Sequence, residues 1–127
     1  MSSEGKAMST AEDRSTAVGP LDAVHRDPDH HDVLLENEHV RVLDALLKPG
    51  EQTEIHTHVW PSALYVLSWS DFVRIDPEGK VIADSRAMGL RPRAGEAIWS
   101  PALPPHRVRN VGSTELRLIA VELKSVR

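Results

Sequence analysis

The feature that most restricts the fold of this chain is a long succession of short β segments separated by turn residues. The segments lie at residues 33–36, 39–47, 53–58, 63–68, 72–75, 81–85, 89–91, 97–100, 106–110 and 116–123. Between them stand turn sequences rich in Pro and Gly, such as Lys-Pro-Gly at 48–50 and Asp-Pro-Glu-Gly at 76–79. Because no long helical pattern interrupts the series, the sequence predicts an all-β sandwich or barrel.

Length and composition limit the chain to one β domain preceded by a tail. With 127 residues, of which 40% are apolar, the chain suits one modest core. Residues 1–20 are rich in Ser, Thr, Ala, Gly and charge and show no apolar periodicity, so we expect a disordered tail, with the barrel domain at 21–127. The start of the chain has no apolar run, which predicts neither a signal peptide nor a membrane span and favours a cytoplasmic protein.

Charge and cysteine content exclude several kinds of partner and chemistry. The formal net charge is −4 and 27% of the residues are charged, so no overall positive field exists to bind nucleic acid or an anionic membrane. Cysteine is absent, which excludes disulfides, thiolate metal ligands and a thiol nucleophile. The sequence also lacks a nucleophile elbow, a glycine-rich phosphate loop and a Rossmann fingerprint. A metal ion would therefore need His, Asp or Glu ligands.

Three histidines form the candidate metal site. His56 and His58 are two residues apart, so on a strand both side chains lie on one face, whereas a helix would separate them by roughly 200°. In the segment 106–110, His106 shares a face with Val108 and Asn110 and alternates with two arginines that we expect in solvent. Three neutral imidazoles suit Fe(II), Mn(II), Co(II), Ni(II), Cu(II) or Zn(II) and leave positions open for substrate, water or oxygen. The competing interpretation is that these are hydrogen-bonded core or surface histidines.

The surroundings of these histidines resemble the two sequence motifs of the cupin superfamily. The first motif is matched by a glycine and two histidines at its spacing, namely Gly50, His56 and His58, and continues into a strand at 65–67. The second motif is matched at its offsets by Gly95, Pro101, His106 and Asn110. The resemblance implies a double-stranded β-helix, the cupin or jelly-roll barrel. It also implies one divalent metal held by His56, His58 and His106.

One departure from the family pattern affects the site. The first motif of the family carries a glutamate ligand a few residues after its second histidine, and Ser62 stands there in this sequence. The resemblance therefore implies a three-histidine site, with Ser62 as a candidate hydrogen-bond donor to a metal-bound water. Glu54 would share the strand face of His56 and His58, so its carboxylate is a candidate metal ligand, orienting group or general base. The alternative is a rim glutamate in solvent.

Other candidate residues lie near the histidines or before them. Trp60 and Trp99 flank the two motifs and are candidates for an apolar wall that binds substrate, with core packing as the ordinary alternative. Residues 29–32 (Asp-His-His-Asp) resemble a metal cluster, but no second element converges on them, so we interpret them as a solvated linker. Small cupins commonly pair through N-terminal strands, so the resemblance also implies a homodimer.

These features favour a metal-dependent enzyme that acts on a small oxygen-bearing molecule. By ligand set only, the site resembles that of diketone-cleaving dioxygenases, which favours Fe(II) and carbon–carbon cleavage by dioxygen. A non-oxidative Mn or Zn lyase or isomerase would use the same ligands. A non-catalytic module that binds a small molecule or a metal is the remaining alternative, because a fold alone does not establish activity.

Overall fold

Alternating side chains and Gly- or Pro-containing turns divide the chain into short strands. These strands form two antiparallel sheets. The computed structural model describes residues 18–124. Its strands are β1 (His31–Glu36), β2 (Val40–Leu47), β3 (His56–His58), β4 (Ser62–Ser68), β5 (Phe72–Ile75), β6 (Val81–Asp84), β7 (Ala97–Ser100), β8 (Leu103–Asn110) and β9 (Leu116–Leu123). One sheet has the order β1-β2-β9-β4-β7 and the other β3-β8-β5-β6. The predicted all-β class is confirmed.

The strand predicted at 89–91 is wrong, because a short helix and its cap occupy this region. Helix α2 (Ser85–Met88) begins after Asp84, whose side chain accepts a hydrogen bond from the Arg86 N–H at 3.0 Å. Gly89 ends the helix in the left-handed conformation, with φ 67°, and donates its N–H to the Arg86 carbonyl. An aspartate before the first turn and a glycine after it are local helix signals, and they override the weak strand pattern that follows.

An N-terminal segment with little regular structure leads into the first strand. Helix α1 (Ala23–Arg26) and a 3-10 turn (Pro28–His30) precede β1. The Thr57 N–H donates to the Leu21 carbonyl at 2.8 Å, which fastens this segment across β3. Most of the tail expected at 1–20 falls on residues 1–17, which lie outside the described residues. No helix in the described part of the chain has the length and apolar character needed to cross a bilayer.

The register of β2, β9 and β4 builds the inner row that supports the site. Arg41 on β2 lies opposite Glu122 on β9, and Glu122 lies opposite Ser62 on β4. Because partners in register lie on the same face of a sheet, this row combines a cation, a carboxylate and a hydroxyl. Farther along, the same face of β2 and β9 is apolar and consists of Leu43, Ala45, Leu47, Leu116, Leu118 and Ala120.

Asn110 at the end of β8 fixes the turn into β9. Its side-chain amide donates to the carbonyl oxygens of Leu47 and Thr114, both at 2.9 Å. Its side-chain oxygen accepts from the Ser70 hydroxyl at 2.8 Å and the Gly112 N–H at 2.9 Å. The side chain is fully buried and uses its donors and acceptor completely, so this motif position has a structural role.

Strand β1 forms one edge of the five-stranded sheet and exposes apolar side chains. Val33, Leu34 and Leu35 are 43%, 57% and 51% exposed. Apolar edge strands tend to pair with another chain unless they are covered. The homodimer implied by the sequence stays a prediction, and this edge is the surface that it would use.

Candidate metal centre

Four histidine side chains converge on the inner side of the barrel. The ring centroids of the three predicted histidines lie close together: His56 to His58 5.0 Å, His56 to His106 4.5 Å, and His58 to His106 5.7 Å. The ring of His31 lies 5.0 Å from that of His56 and 5.6 Å from that of His58. One nitrogen from each of His31, His56 and His58 lies within 4.8 Å of the other two, a spacing that can hold a metal ion.

The pairing of β3 with β8 places three of these rings. His56 lies opposite His106, whereas His58 lies opposite Leu103, so β8 has one residue more than β3 across this interval. The interval on β8 contains Pro104 and Pro105, which have no N–H to donate to the sheet and are therefore suited to a bulge. The bulge leaves the Pro104 carbonyl free to accept from the His106 ring.

Each of the four rings is oriented by a hydrogen bond at Nδ1. The pairs are His31 with the Asp27 carbonyl (3.0 Å), His56 with the Glu54 carbonyl (2.7 Å), His106 with the Pro104 carbonyl (2.7 Å) and His58 with Glu122 Oε2 (3.1 Å). Carbonyl and carboxylate oxygens only accept, so Nδ1 carries a proton in each ring and Nε2 is the nitrogen that remains for a metal ion. Metal-ligating histidines in proteins are oriented in this way.

Burial keeps the central rings neutral. Burial, together with the positive charges that His58 and His106 would carry, lowers the pKa of His56 to about 2. Burial likewise lowers the pKa of His106 to about 4. Both rings are therefore uncharged at neutral pH, so no second proton competes with a metal ion for Nε2.

A buried chain of charges lies behind His58. Arg41 donates from both terminal nitrogens to Asp22, at 2.8 Å each, and from Nε to Glu122 Oε1 at 2.6 Å. The other oxygen of Glu122 accepts from His58, and Glu122 has no exposed surface. Burial alone would raise the pKa of Glu122, but the hydrogen bonds from His58 and Arg41 outweigh it and hold the pKa below its usual range. Glu122 is therefore ionised and adds a negative charge behind the histidines.

The prediction that the Glu54 carboxylate points into the barrel is wrong. Its side chain is 61% exposed, and its carboxylate lies 4.0 Å from Arg26. Strand β3 begins only at His56, so the alternation of faces does not extend back to Glu54. The backbone of Glu54 is what serves the site, because its carbonyl accepts from the His56 ring.

Sequence reasoning missed Glu122, although the sequence contained a signal for it. On β9 every second residue from Leu116 faces the interior, and this series ends at Glu122. A single carboxylate at the end of an inward apolar row needs buried partners. Arg41 occupies the corresponding position on β2, with Leu43 as the next inward residue.

The interpretation of residues 29–32 as a solvated linker is wrong for His31. Asp29 and Asp32 are exposed, but His31 is buried and begins β1. Its pairing with Ala45 on β2 turns the ring inward, and its Nδ1 donates to the Asp27 carbonyl. The converging element is a strand whose pairing partner lies well along the chain, so local spacing carried no signal for it.

Comparison with known proteins bears on the fold. No protein-family model and no curated protein matches the sequence. Similar solved structures include a cupin domain protein from Bordetella pertussis Tohama I, 24% identical with a TM-score of 0.59, where the match covers 75% of this chain and 92% of that one. An RmlC-like cupin from Methanocaldococcus jannaschii is 17% identical with a TM-score of 0.52, covering 73% and 77%. A double-stranded β-helix protein from Klebsiella pneumoniae is 19% identical with a TM-score of 0.52, covering 74% and 75%. The chain has the cupin fold.

The interior of this cupin barrel contains a cavity beside the four histidines. Its volume of about 260 Å³ corresponds to roughly nine molecules of liquid water, which suits a small molecule. Most of the wall is apolar and includes Leu43, Leu64, Trp69, Phe72, Ile98 and Leu118. Ser62 is buried and also lines the cavity. The histidines therefore meet a small space that favours an apolar ligand body.

Of the two tryptophans predicted to form the wall, one lines the cavity. Trp99 lines it and is 58% exposed, so it lies where the cavity meets solvent. The prediction for Trp60 is wrong, because its ring packs 5.0 Å from the Arg41 guanidinium carbon and 5.2 Å from Lys124 Nζ instead. Trp69, which the sequence did not single out, lines the cavity and packs against Phe72.

Proposed function

We propose that this chain is a metal-dependent enzyme that acts on a small oxygen-bearing molecule, with carbon–carbon cleavage by dioxygen as its reaction. The observation that carries the proposal is the set of imidazoles whose Nδ1 atoms are all engaged, beside a small apolar cavity. Such a set has four unshared nitrogen lone pairs and no sulfur or carboxylate donor. It fits a divalent transition metal better than Mg²⁺ or Ca²⁺, which prefer oxygen.

The predicted ligands are His56, His58 and His106, and the structure adds His31 as a fourth candidate. We favour Fe(II), while Mn, Zn, Ni, Co and Cu suit the same nitrogens. A bound Fe(II) ion would supply Lewis acidity toward a substrate oxygen and redox chemistry toward dioxygen. The chain supplies rings that are already oriented by hydrogen bonds at Nδ1, so little reorganisation accompanies binding.

The described residues around the cavity provide no carboxylate for proton transfer, so a histidine would have to act as the base. A lyase or isomerase needs a general base within reach of its substrate. Glu54 is in solvent, and no Asp or Glu among the described residues lines the cavity. The Ser62 hydroxyl can hydrogen-bond a substrate oxygen, and the apolar wall excludes water from it.

A non-catalytic metal-binding module is the second candidate, and His31 is the observation that favours it. Structural metal sites are commonly closed by four protein ligands, whereas catalytic sites keep a position open. If His31 ligates together with the three predicted histidines, a tetrahedral ion has no free position. A six-coordinate ion such as Fe(II) keeps two free coordination positions.

Elemental analysis of purified protein tests the metal site. We expect about one transition metal per chain, since one cluster of ligands is present. The double variant His56→Ala with His106→Ala should lose the metal. His25→Ala removes an exposed histidine and is the matched control, which should keep it. Metal retained by the double variant would refute the proposed site.

Oxygen uptake then tests the reaction. Protein loaded with Fe(II) should consume dioxygen when pentane-2,4-dione is added, and the double variant should not. Stoichiometric Fe(II) without oxygen uptake on this probe would overturn the proposed cleavage of a diketone-type substrate and support the binding module. Zn-loaded protein controls for uptake that does not depend on a redox-active metal.

A further inference from the structure

Arg74 lines the cavity without an acidic partner. It lies on β5 opposite Val108 of β8, so its side chain shares the inner face with Phe72, two residues earlier on the strand. Its guanidinium carbon lies 5.7 Å from the centroid of the Phe72 ring, and it lines the same cavity as the four histidines. Within residues 18–124 its buried Nε has no hydrogen-bond partner.

The environment of the half-buried Arg74 differs from that of the buried Arg41. Asp22 and Glu122 pair with Arg41 and raise its pKa despite burial. For Arg74, burial lowers the pKa and no carboxylate offsets it. The buried Nε of Arg74 has no acceptor among the described residues, so an acceptor atom of a ligand in the cavity would satisfy it.

The charged residues that face the cavity indicate the charge of a ligand that would contact Arg74. Among the described residues that line the cavity, Arg74 is the residue with a permanent charge, and none is Asp or Glu. With a metal ion bound, the neighbouring histidines would be part of a cationic centre. A ligand with one negative group would therefore meet a complementary field, and the rest of the wall is apolar.

We propose that Arg74 binds a carboxylate, so that the cavity accepts a small organic acid with an apolar body. The inference rests on the proposed function, because the same molecule would present its oxygen-bearing group to the histidine centre. The planar guanidinium of Arg74 can donate two parallel hydrogen bonds to a carboxylate, which a neutral amide cannot accept in the same way. Discrimination between an acid and its amide is thus the property that Arg74 provides.

Titration calorimetry with benzoate and benzamide tests this on the full-length protein, with metal content measured on the same preparation. Benzoate should bind the natural protein more tightly than benzamide. Arg74→Gln should weaken benzoate by about tenfold or more and leave benzamide unchanged. Arg74→Lys should recover part of the benzoate affinity, because lysine keeps the positive charge but lacks the two parallel N–H donors of the guanidinium. Arg109→Gln removes an exposed arginine on β8 and is the matched control.

Thermal melting separates a binding role from a structural one. Arg74→Gln should melt at or above the temperature of the natural protein, since it removes a half-buried charge with no carboxylate partner among the described residues. Removal of a structural cation would instead lower the melting temperature. Equal binding of benzoate and benzamide, no benzoate binding, or unchanged benzoate affinity in Arg74→Gln would each overturn the proposal. Arg74-dependent benzoate binding in protein that holds no metal would support the inference while refuting the metal-dependent function. Protein that holds metal but binds benzoate and benzamide equally would support the metal-dependent function and refute the inference about Arg74.

Discussion

Replacing Glu122 with Gln tests the support of the histidine centre, because it keeps the shape of the side chain and removes one acceptor. The two oxygens of Glu122 accept from two donors, Arg41 Nε at 2.6 Å and His58 Nδ1 at 3.1 Å. Glutamine has one oxygen, and the shorter, charge-assisted bond to Arg41 should keep it. The amide NH₂ then faces His58, which must accept at Nδ1 and carry its proton at Nε2. In Glu122→Gln the lone pair of His58 is thus turned away from the site.

The expected magnitude follows from these contacts. Loss of a partner that orients a ligand typically weakens metal binding 10–100-fold. Because the proton also moves to the ligating nitrogen, we expect about 100-fold for Zn²⁺, equivalent to about 2.7 kcal/mol. Loss of the negative charge of Glu122 beside Arg41 should lower the free energy of unfolding by about 2 kcal/mol. That corresponds to a fall of roughly 8 °C in the melting temperature of a domain of this size.

Competition calorimetry with Zn²⁺ measures the affinity, and ¹⁵N NMR of the imidazoles in metal-free protein reports the tautomer of His58. Glu115→Gln is the control, since it removes an exposed carboxylate just before β9 and should change neither quantity. If Glu122→Gln binds Zn²⁺ as tightly as the natural protein and His58 keeps its proton at Nδ1, the assigned role of Glu122 is refuted.

Two further predictions concern stability. In metal-free protein, His56 and His106 have pKa values below the ordinary 6.5, so the unfolded state binds their protons first and stability falls as pH drops below about 6.5. Urea unfolding should show a loss of about 4 kcal/mol between pH 7.5 and pH 5, and an equally steep loss in the His56→Asn, His106→Asn double variant would contradict this. Asn110→Asp places a carboxylate against two carbonyl oxygens and should cost about 3 kcal/mol in urea unfolding at pH 7. Asn37→Asp keeps an exposed acceptor and is the control, and equal stability of the two variants would argue against the role of Asn110.

The parts of the fold that the sequence predicted are those set by local pattern. Alternation of apolar residues located most strands, and the spacing of His56 and His58 placed both rings on one side because they lie on one strand. Gly89 shows how local chemistry can also mislead, since its cap terminates a helix where a strand was predicted. Local helix signals were present there, but the residues were interpreted with the two-residue period of a strand.

The parts that were missed depend on pairing between distant segments. His31 turns inward because β1 pairs with β2, and Glu122 finds Arg41 because β9 pairs with the same strand. Glu54 was misplaced for the related reason that the strand starts three residues later than its pattern suggested. No local rule fixes which residues share a face across strands that are far apart in sequence. For that reason the sequence predicted the central histidines better than the groups that support them.

The division of the histidines between the two sheets has a consequence for the whole barrel. His31 belongs to the five-stranded sheet, whereas His56, His58 and His106 belong to the four-stranded sheet. The chain has no cysteine and so no covalent cross-link between the sheets. An ion ligated from both sheets would take that place, and at 100 times its dissociation constant it would add about 2.7 kcal/mol to the free energy of unfolding by mass action. Metal supply would then govern the lifetime of the folded protein as well as its chemistry.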